Sequence, residues 1–322
     1  MQSYSITDVL GFSLIVALCL AIDLFAHKRD KEPSAKSAAA WTLFWIAVSL
    51  AFAMYIRHTR GAPDAYAFLA GYVLEKTLSI DNIFVIMAIF ASFDIPAKLQ
   101  HRVLYYGILG ALVLRLVFVA AGGAFVEAMG GTALAVFGLF ILWSAVKMME
   151  AAGIWFLAWS VFKKEQKPQE QDFKNHWSQR FFKRLFPITP KLEGHRFFIG
   201  KAATPLFLCL LTIEFADIMF AFDSIPAVIA VTEKPFLIYT SNVFAILGMR
   251  SLYFCLAAAK RSLVHLEKAV VAILFFIGLK MLAEVFFKAH VSPGASLAVI
   301  FSMVAAGVAA SLIWPGKKSE NA

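Results

Sequence analysis

Nine stretches of this 322-residue chain stay apolar for about the 20 residues that a helix needs to cross the hydrocarbon core of a bilayer. They lie near 7–26, 39–57, 66–92, 102–123, 131–151, 202–231, 236–258, 266–287 and 295–314. Inside lipid only helices and closed barrels satisfy their own backbone, and runs of this length select helices. The expected fold is all-α, a polytopic membrane helix bundle of about nine transmembrane helices. Composition agrees: 61% of residues are hydrophobic, 16% are charged and mean hydropathy is +0.74, more than a soluble core of this size requires.

The net charge of +9 comes from Lys and Arg scattered through connecting segments, so no nucleic-acid partner is expected. If odd-numbered spans end in the cytoplasm, the inner segments hold 21 Lys and Arg, and the outer segments hold four: Arg57, Arg60, Lys234 and Lys288. The positive-inside rule then places the N-terminus outside and the C-terminus in the cytoplasm of a multi-pass membrane protein. The first apolar run has its basic residues, HKRDK, behind it and no small-residue cleavage site after it, which reads as a retained helix. Cys19, Cys209 and Cys255 fall inside apolar runs with no CxxC, so neither a disulfide framework nor a dithiol redox centre is expected. Residues 152–201 form a basic cytoplasmic loop whose WSQRFFKRLF stretch suits the anionic inner leaflet.

The charges inside the apolar runs recur in order. Glu75 is followed six residues later by Asp81, then Asn82 and Ile83; Asp217 is followed six residues later by Asp223, then Ser224 and Ile225. GILGALVLR, ending at Arg115, is answered by NVFAILGMR, ending at Arg250, and VKMM at Lys147 by LKML at Lys280. Spans three to five and six to eight therefore read as copies of one three-helix unit. Three is odd, so the second copy starts from the opposite side of the membrane, and the repeat is inverted. Inverted repeats that meet at a midplane site are an architecture of secondary transporters. The chain divides accordingly into two N-terminal helices (1–65), the first repeat (66–151), the basic loop (152–201), the inverted second repeat (202–288), and a last helix with its cytoplasmic tail (289–322).

A carboxylate at the bilayer centre costs roughly 2.5–3.5 kcal/mol on insertion scales. Glu75, Asp81, Glu214, Asp217 and Asp223 would together cost more than roughly 10 kcal/mol without compensation. Pairing with Lys76, Arg115, Lys147, Arg250 and Lys280 is one source of it. Lys147 and Lys280 lie within about two turns of a helix end and can snorkel, which leaves Arg115 and Arg250 as the deep cations. Two guanidiniums do not neutralise five carboxylates, and the surplus fits a site that takes up a cation. All seven His residues lie in loops or at helix ends, so the deep donors are oxygens, which suit Mg²⁺, Ca²⁺ and Mn²⁺ over Zn²⁺ or Cu⁺. An inward Met219 sulfur would lean towards Mn²⁺, although packing is the commoner use of such a residue.

At about 100° per residue, Glu214 and Asp217 share a helix face, as do Glu75 with Asn82 and Asp217 with Ser224. Asp223 falls about 180° from Glu214 on a regular helix. Pro226, which removes the hydrogen bond to the carbonyl of Phe222, is expected to kink or break the helix beside Asp223. A break at Asp81–Asn82 would be its counterpart in span three.

EKTLSIDNIFV, EFADIMFAFDSIPAVIAVT and SNVFAILGMRSLYF resemble the paired signatures of the TerC family of bacterial membrane proteins, with a full-length pattern similar to its Alx branch. The resemblance covers essentially the whole chain. It implies a manganese exporter related to the LysE-type superfamily, with Glu75, Asp81, Asn82, Glu214, Asp217, Asp223 and Ser224 as ion ligands. Mn²⁺ would be the transported ion, with Ca²⁺ or another hard divalent cation in its place otherwise, and no cofactor would be permanently bound. The family takes its name from tellurite resistance, some members are described as redox modulators, and others are implicated in supplying metal to secreted enzymes. A membrane scaffold for stress resistance or metal delivery, docking through 152–201, is the alternative; an enzyme is not expected. Ala216, Met219 and Phe222 depart from the residues common in relatives and leave every carboxylate in place.

Overall fold

Serines, prolines and glycines set where the helices begin and end. In the computed structural model, which describes residues 6–26, 34–151, 187–189, 194–259 and 265–314, ten helices and one small hairpin follow in order. Helix α1 is Ile6–Ala26, α2 is Ala35–Arg60, α3 is Ala62–Ser92, α4 is Ala97–Met129 and α5 is Gly131–Ala151. Strands β1 (Phe198–Ile199) and β2 (Ala202–Ala203) pair antiparallel ahead of α6 (Pro205–Ile229). Then come α7 (Pro235–Leu247), α8 (Met249–Ala259), α9 (Leu266–Phe287) and α10 (Pro293–Ile313). Ser34 and Ser292 cap α2 and α10 by accepting from backbone N–H groups at 3.2 Å. Proline stands in the first turn of α3, α6, α7 and α10, where it costs no helical hydrogen bond.

These elements match the nine apolar runs, with α7 and α8 together answering to the seventh. Among the described residues five helices are long and apolar enough to cross a membrane, namely α2, α4, α6, α9 and α10, and the bent α7–α8 pair would make a sixth. Large apolar side chains such as Leu14, Leu43, Met54, Val113, Phe301 and Leu312 stand exposed on the outside, a surface suited to hydrocarbon. Most of the basic loop, residues 152–186 with the WSQRFFKRLF stretch, lies outside the described residues.

α3 is the central helix and packs against α2, α6, α7 and α10. α4 packs on α6 as extensively as α3 packs on α7, and α5 and α9 form the largest helix pair of all. At that last seam a Cβ on Gly278 would lie 2.7 Å from Leu142, so small residues let the two backbones approach. The interior has two apolar clusters, one around Trp45, Phe52, Phe68 and Phe244, the other around Leu74, Ile141, Ile225 and Ile277. Along α4 the buried members of the first end at Leu112 and those of the second begin at Val119. Arg115 stands between them.

The chain breaks elsewhere than Pro226. α6 runs unbroken past Asp223 to Ile229, and α3 runs unbroken through Asp81 and Asn82. Pro226 lies in the last turn of its helix, so few residues remain whose direction its missing N–H could change. The break falls at Gly248, where α7 and α8 meet at 43°. A Cβ at Gly248 would lie 2.8 Å from Lys76 Nζ and 2.9 Å from Trp45 Cβ, so glycine is needed there for room. Gly248→Val is expected to destabilise the fold by about 1–3 kcal/mol through overpacking. The check is the thermal unfolding midpoint of purified protein in detergent.

Candidate functional site

Arg115 gathers polar side chains from three other helices. It is only 1% exposed. Its Nη1 donates to Glu75 Oε1 on α3, to Asn242 Oδ1 on α7 at 2.6 Å and to Ser224 Oγ on α6 at 3.1 Å. Its Nη2 donates to Asp217 Oδ1 on α6 at 3.2 Å. Asp217 and Ser224 are seven residues apart, two helical turns, which is why one face of α6 offers both to the same guanidinium. Asn242 is held in turn by its own helix, donating from Nδ2 to the carbonyl of Ile238 at 3.1 Å.

One guanidinium thus serves two carboxylates, and each keeps a second oxygen with no hydrogen-bond partner, Glu75 Oε2 and Asp217 Oδ2. Glu214 Oε2 is a third such oxygen. Glu75 is wholly buried and Asp217 is 8% exposed, so water does not compensate them in bulk. A cavity of about 10 Å³, close to the space of one water molecule, lies beside Asp217. Asn82, Glu214 and Asp217 supply its polar wall, while Ile86, Ile108 and Ile213 close the rest. The Glu214 carboxylate lies over Gly110 of α4, in the space where a Cβ would otherwise stand.

The seven expected ligands fall into three groups. Glu75, Asp217 and Ser224 meet on Arg115, and Asn82 and Glu214 join Asp217 at the cavity. Asp81 and Asp223 sit within α3 and α6, but their side chains, like that of Lys147, lie outside the described residues. Because α6 is regular, the position of Asp223 stays about 180° from that of Glu214. Among the described residues no three His, Cys, Asp or Glu side chains are grouped as a metal site. Met219 is 53% exposed and does not line the cavity, so its sulfur is on the outer surface.

The other cations are used differently from expectation. Arg250, the repeat counterpart of Arg115, pairs with Asp23 Oδ2 at 2.8 Å and donates to the Asp23 carbonyl at 2.5 Å, binding α8 to α1. Its guanidinium also lies 6.0 Å from the Tyr105 ring centroid. Lys280 does not snorkel: it is buried and donates from Nζ to the carbonyl of Ala230 at 2.7 Å. That carbonyl caps the C-terminal end of α6, where a helix dipole attracts a cation. Lys76 likewise donates to the carbonyl of Ala245 near the end of α7 at 3.0 Å. Asp23 and Asn242 are the residues that sequence reasoning missed; Asp23 was visible as a lone carboxylate in the apolar run LCLAIDLFA. Asp23→Asn is expected to cost about 1.5–3 kcal/mol, the range for hydrogen bonds to charged groups. Thermal unfolding in detergent measures it.

Long apolar helices with a lipid-compatible exterior, closed around a buried cluster of charges, define an α-helical integral membrane protein. Residues 60–319 match the family described as "Integral membrane protein TerC family", and the chain belongs to that family. It is 41% identical to "Tellurium resistance protein TerC" of Serratia marcescens, over 96% of this chain and 94% of that protein. It is 39% identical to "Putative membrane-bound redox modulator Alx" of Escherichia coli (strain K12), over 91% of this chain and 90% of that protein. "Uncharacterized membrane protein STKORF319" of Myxococcus xanthus is 40% identical over 94% of this chain and 91% of its own length. No solved structure matches the chain.

Proposed function

We propose that this protein is a secondary transporter that exports a divalent cation, Mn²⁺ above all, through the acidic site around Arg115. The observation that carries the reading is the trio of buried carboxylate oxygens on Glu75, Glu214 and Asp217 that lack a hydrogen-bond partner, although one guanidinium, that of Arg115, serves two of the three carboxylates, Glu75 and Asp217. Uncompensated carboxylates at such depth are expensive, and an incoming hard cation offsets them. Asn82, Ser224, Asp81 and Asp223 would complete an all-oxygen donor set, the kind preferred by Mn²⁺, Mg²⁺ and Ca²⁺.

The inverted repeat gains support from the packing. A two-fold exchanging α3 with α6 and α4 with α7–α8 would turn the α3–α7 contact into the α6–α4 contact, and these two are of similar extent. The same operation would carry the α5–α9 pair onto itself. Rocking of one three-helix unit against the other about this site would give alternating access. The distribution of basic residues favours a cytoplasmic C-terminus, and export is the direction that the resemblance to TerC proteins implies. A redox role finds little footing: Cys19, Cys209 and Cys255 are all free thiols on three different helices.

The test is cellular metal content by mass spectrometry across Mn, Ca, Mg, Fe and Zn, with and without the protein. Expression of the wild type should lower Mn selectively, while Asp81→Asn and Asp223→Asn should leave it unchanged. Unaltered Mn in cells that contain folded wild-type protein would sink the proposal.

A further inference from the structure

We infer that Arg115 is a resident cation that competes with the transported ion, so that the metal binds only as the guanidinium lets go of Glu75 and Asp217. The inference rests on the transport reading and adds a regulation of that same site. Its basis is where Arg115 sits. The guanidinium occupies Oε1 of Glu75 and Oδ1 of Asp217, the two carboxylates that the sequence repeat makes equivalent, and it also holds Ser224 and Asn242. Four acceptors from three helices therefore close on one cation, while the outer oxygens Glu75 Oε2, Asp217 Oδ2 and Glu214 Oε2 have no partner.

A divalent ion coordinated by Glu75 and Asp217 needs several oxygens at once, at about 2.0–2.6 Å. The oxygens facing Arg115 are the ones already taken. The cavity beside Asn82, Glu214 and Asp217, about 10 Å³, has room for roughly one water molecule and not for a hydrated ion. Filling the site and keeping Arg115 in place are therefore mutually exclusive arrangements of one set of ligands. Electrostatics act in the same direction, because two unlike cations sharing the same buried carboxylates repel each other in a medium of low dielectric.

The position has a functional consequence. Without metal, Arg115 ties α4 to α3, α6 and α7, across the two three-helix units. With metal bound, that tie is released. A ligand that binds one arrangement better than the other shifts the balance between them, and here the ion itself would unlock the contact between the halves. Arg250 does not duplicate the role, since its described ion pair is to Asp23 on α1.

The experiment measures Mn²⁺ affinity by isothermal titration calorimetry on full-length protein in detergent, for wild type, Arg115→Gln and Arg115→Lys. The lysine variant keeps a positive charge among the carboxylates but not the forked contacts, so it tests the same competition if Arg115→Gln fails to fold. The expected result is Mn²⁺ binding tighter than wild type in whichever variants fold, by about ten-fold or more for Arg115→Gln, the size of a typical coupling between sites, and by less for Arg115→Lys. Mn²⁺ export by the variants in proteoliposomes should be slower, because an ion held more tightly is released more slowly once Arg115 no longer competes for its ligands. Equal or weaker Mn²⁺ binding in the folded variants, with wild type binding normally, overturns the role of Arg115 and leaves the transport reading standing. No Mn²⁺ binding by wild type overturns the transport reading itself, and the inference with it.

Discussion

Arg115→Leu is expected to leave little folded protein. The substitution removes the guanidinium from a position that is 1% exposed and strands Glu75, Asp217, Ser224 and Asn242, all of them buried. Breaking a buried ion pair from one side costs about 3–5 kcal/mol because it leaves an uncompensated charge. Against a total stability of about 5–15 kcal/mol, that is enough to cut the folded population severely. Fluorescence-detected size exclusion of a tagged protein reads the outcome as loss of the monodisperse peak. Arg115→Lys is expected to fall in between, since an ammonium is a point charge that cannot reproduce the forked contacts of Nη1 and Nη2. Adding Glu75→Gln to Arg115→Leu should recover part of the loss, because the stranded charge and not the missing packing is the larger cost.

Asp217→Asn is expected to do the opposite: preserve the fold and remove the function. The amide oxygen still accepts from Arg115 Nη2, as Asp217 Oδ1 does at 3.2 Å, so α4 and α6 stay joined. What disappears is a full negative charge and the unpartnered oxygen Oδ2. Mn²⁺ affinity should fall by at least about 10-fold, the lower end of what the loss of even an outer partner costs a metal site. Calorimetric titration of the variant beside wild type measures it. Glu214→Gln should behave alike, since Glu214 forms part of the same cavity wall and contributes an orphan oxygen of its own.

Much of this arrangement was legible in the sequence, for reasons that differ from residue to residue. Apolar runs of bilayer length report helices directly, and α1 to α6, α9 and α10 lie where those runs do. The seven-residue spacing of Asp217 and Ser224 correctly put both on one face, because α6 is regular. Buried charge is costly enough that Glu75, Glu214, Asp217 and Arg115 had to mean something, and the structure does bring them to one place.

Tertiary contacts decided the rest. Proline and glycine are both helix breakers by propensity, but whether either breaks a helix depends on its position and on its neighbours. Pro226 falls in a final turn with little helix left to redirect, whereas Gly248 lies under Trp45 and Lys76, where only a residue without a side chain fits. Likewise the repeat aligns Arg115 with Arg250, yet the two guanidiniums serve different partners. Asp23 belongs to α1, outside the repeated units, and no comparison of the two copies could have revealed it. Lys280 had a choice between the interface and the carbonyl end of α6, and only the packing of α9 could show which it takes.

The most direct test of the central claim is Mn²⁺ efflux from loaded proteoliposomes, followed side by side for wild type and Asp217→Asn at matched amounts of folded protein. The account predicts rapid efflux through wild type and, for the variant, efflux no faster than from vesicles without protein. Equal efflux from the two would contradict it, for the buried carboxylates would then have no part in moving the ion.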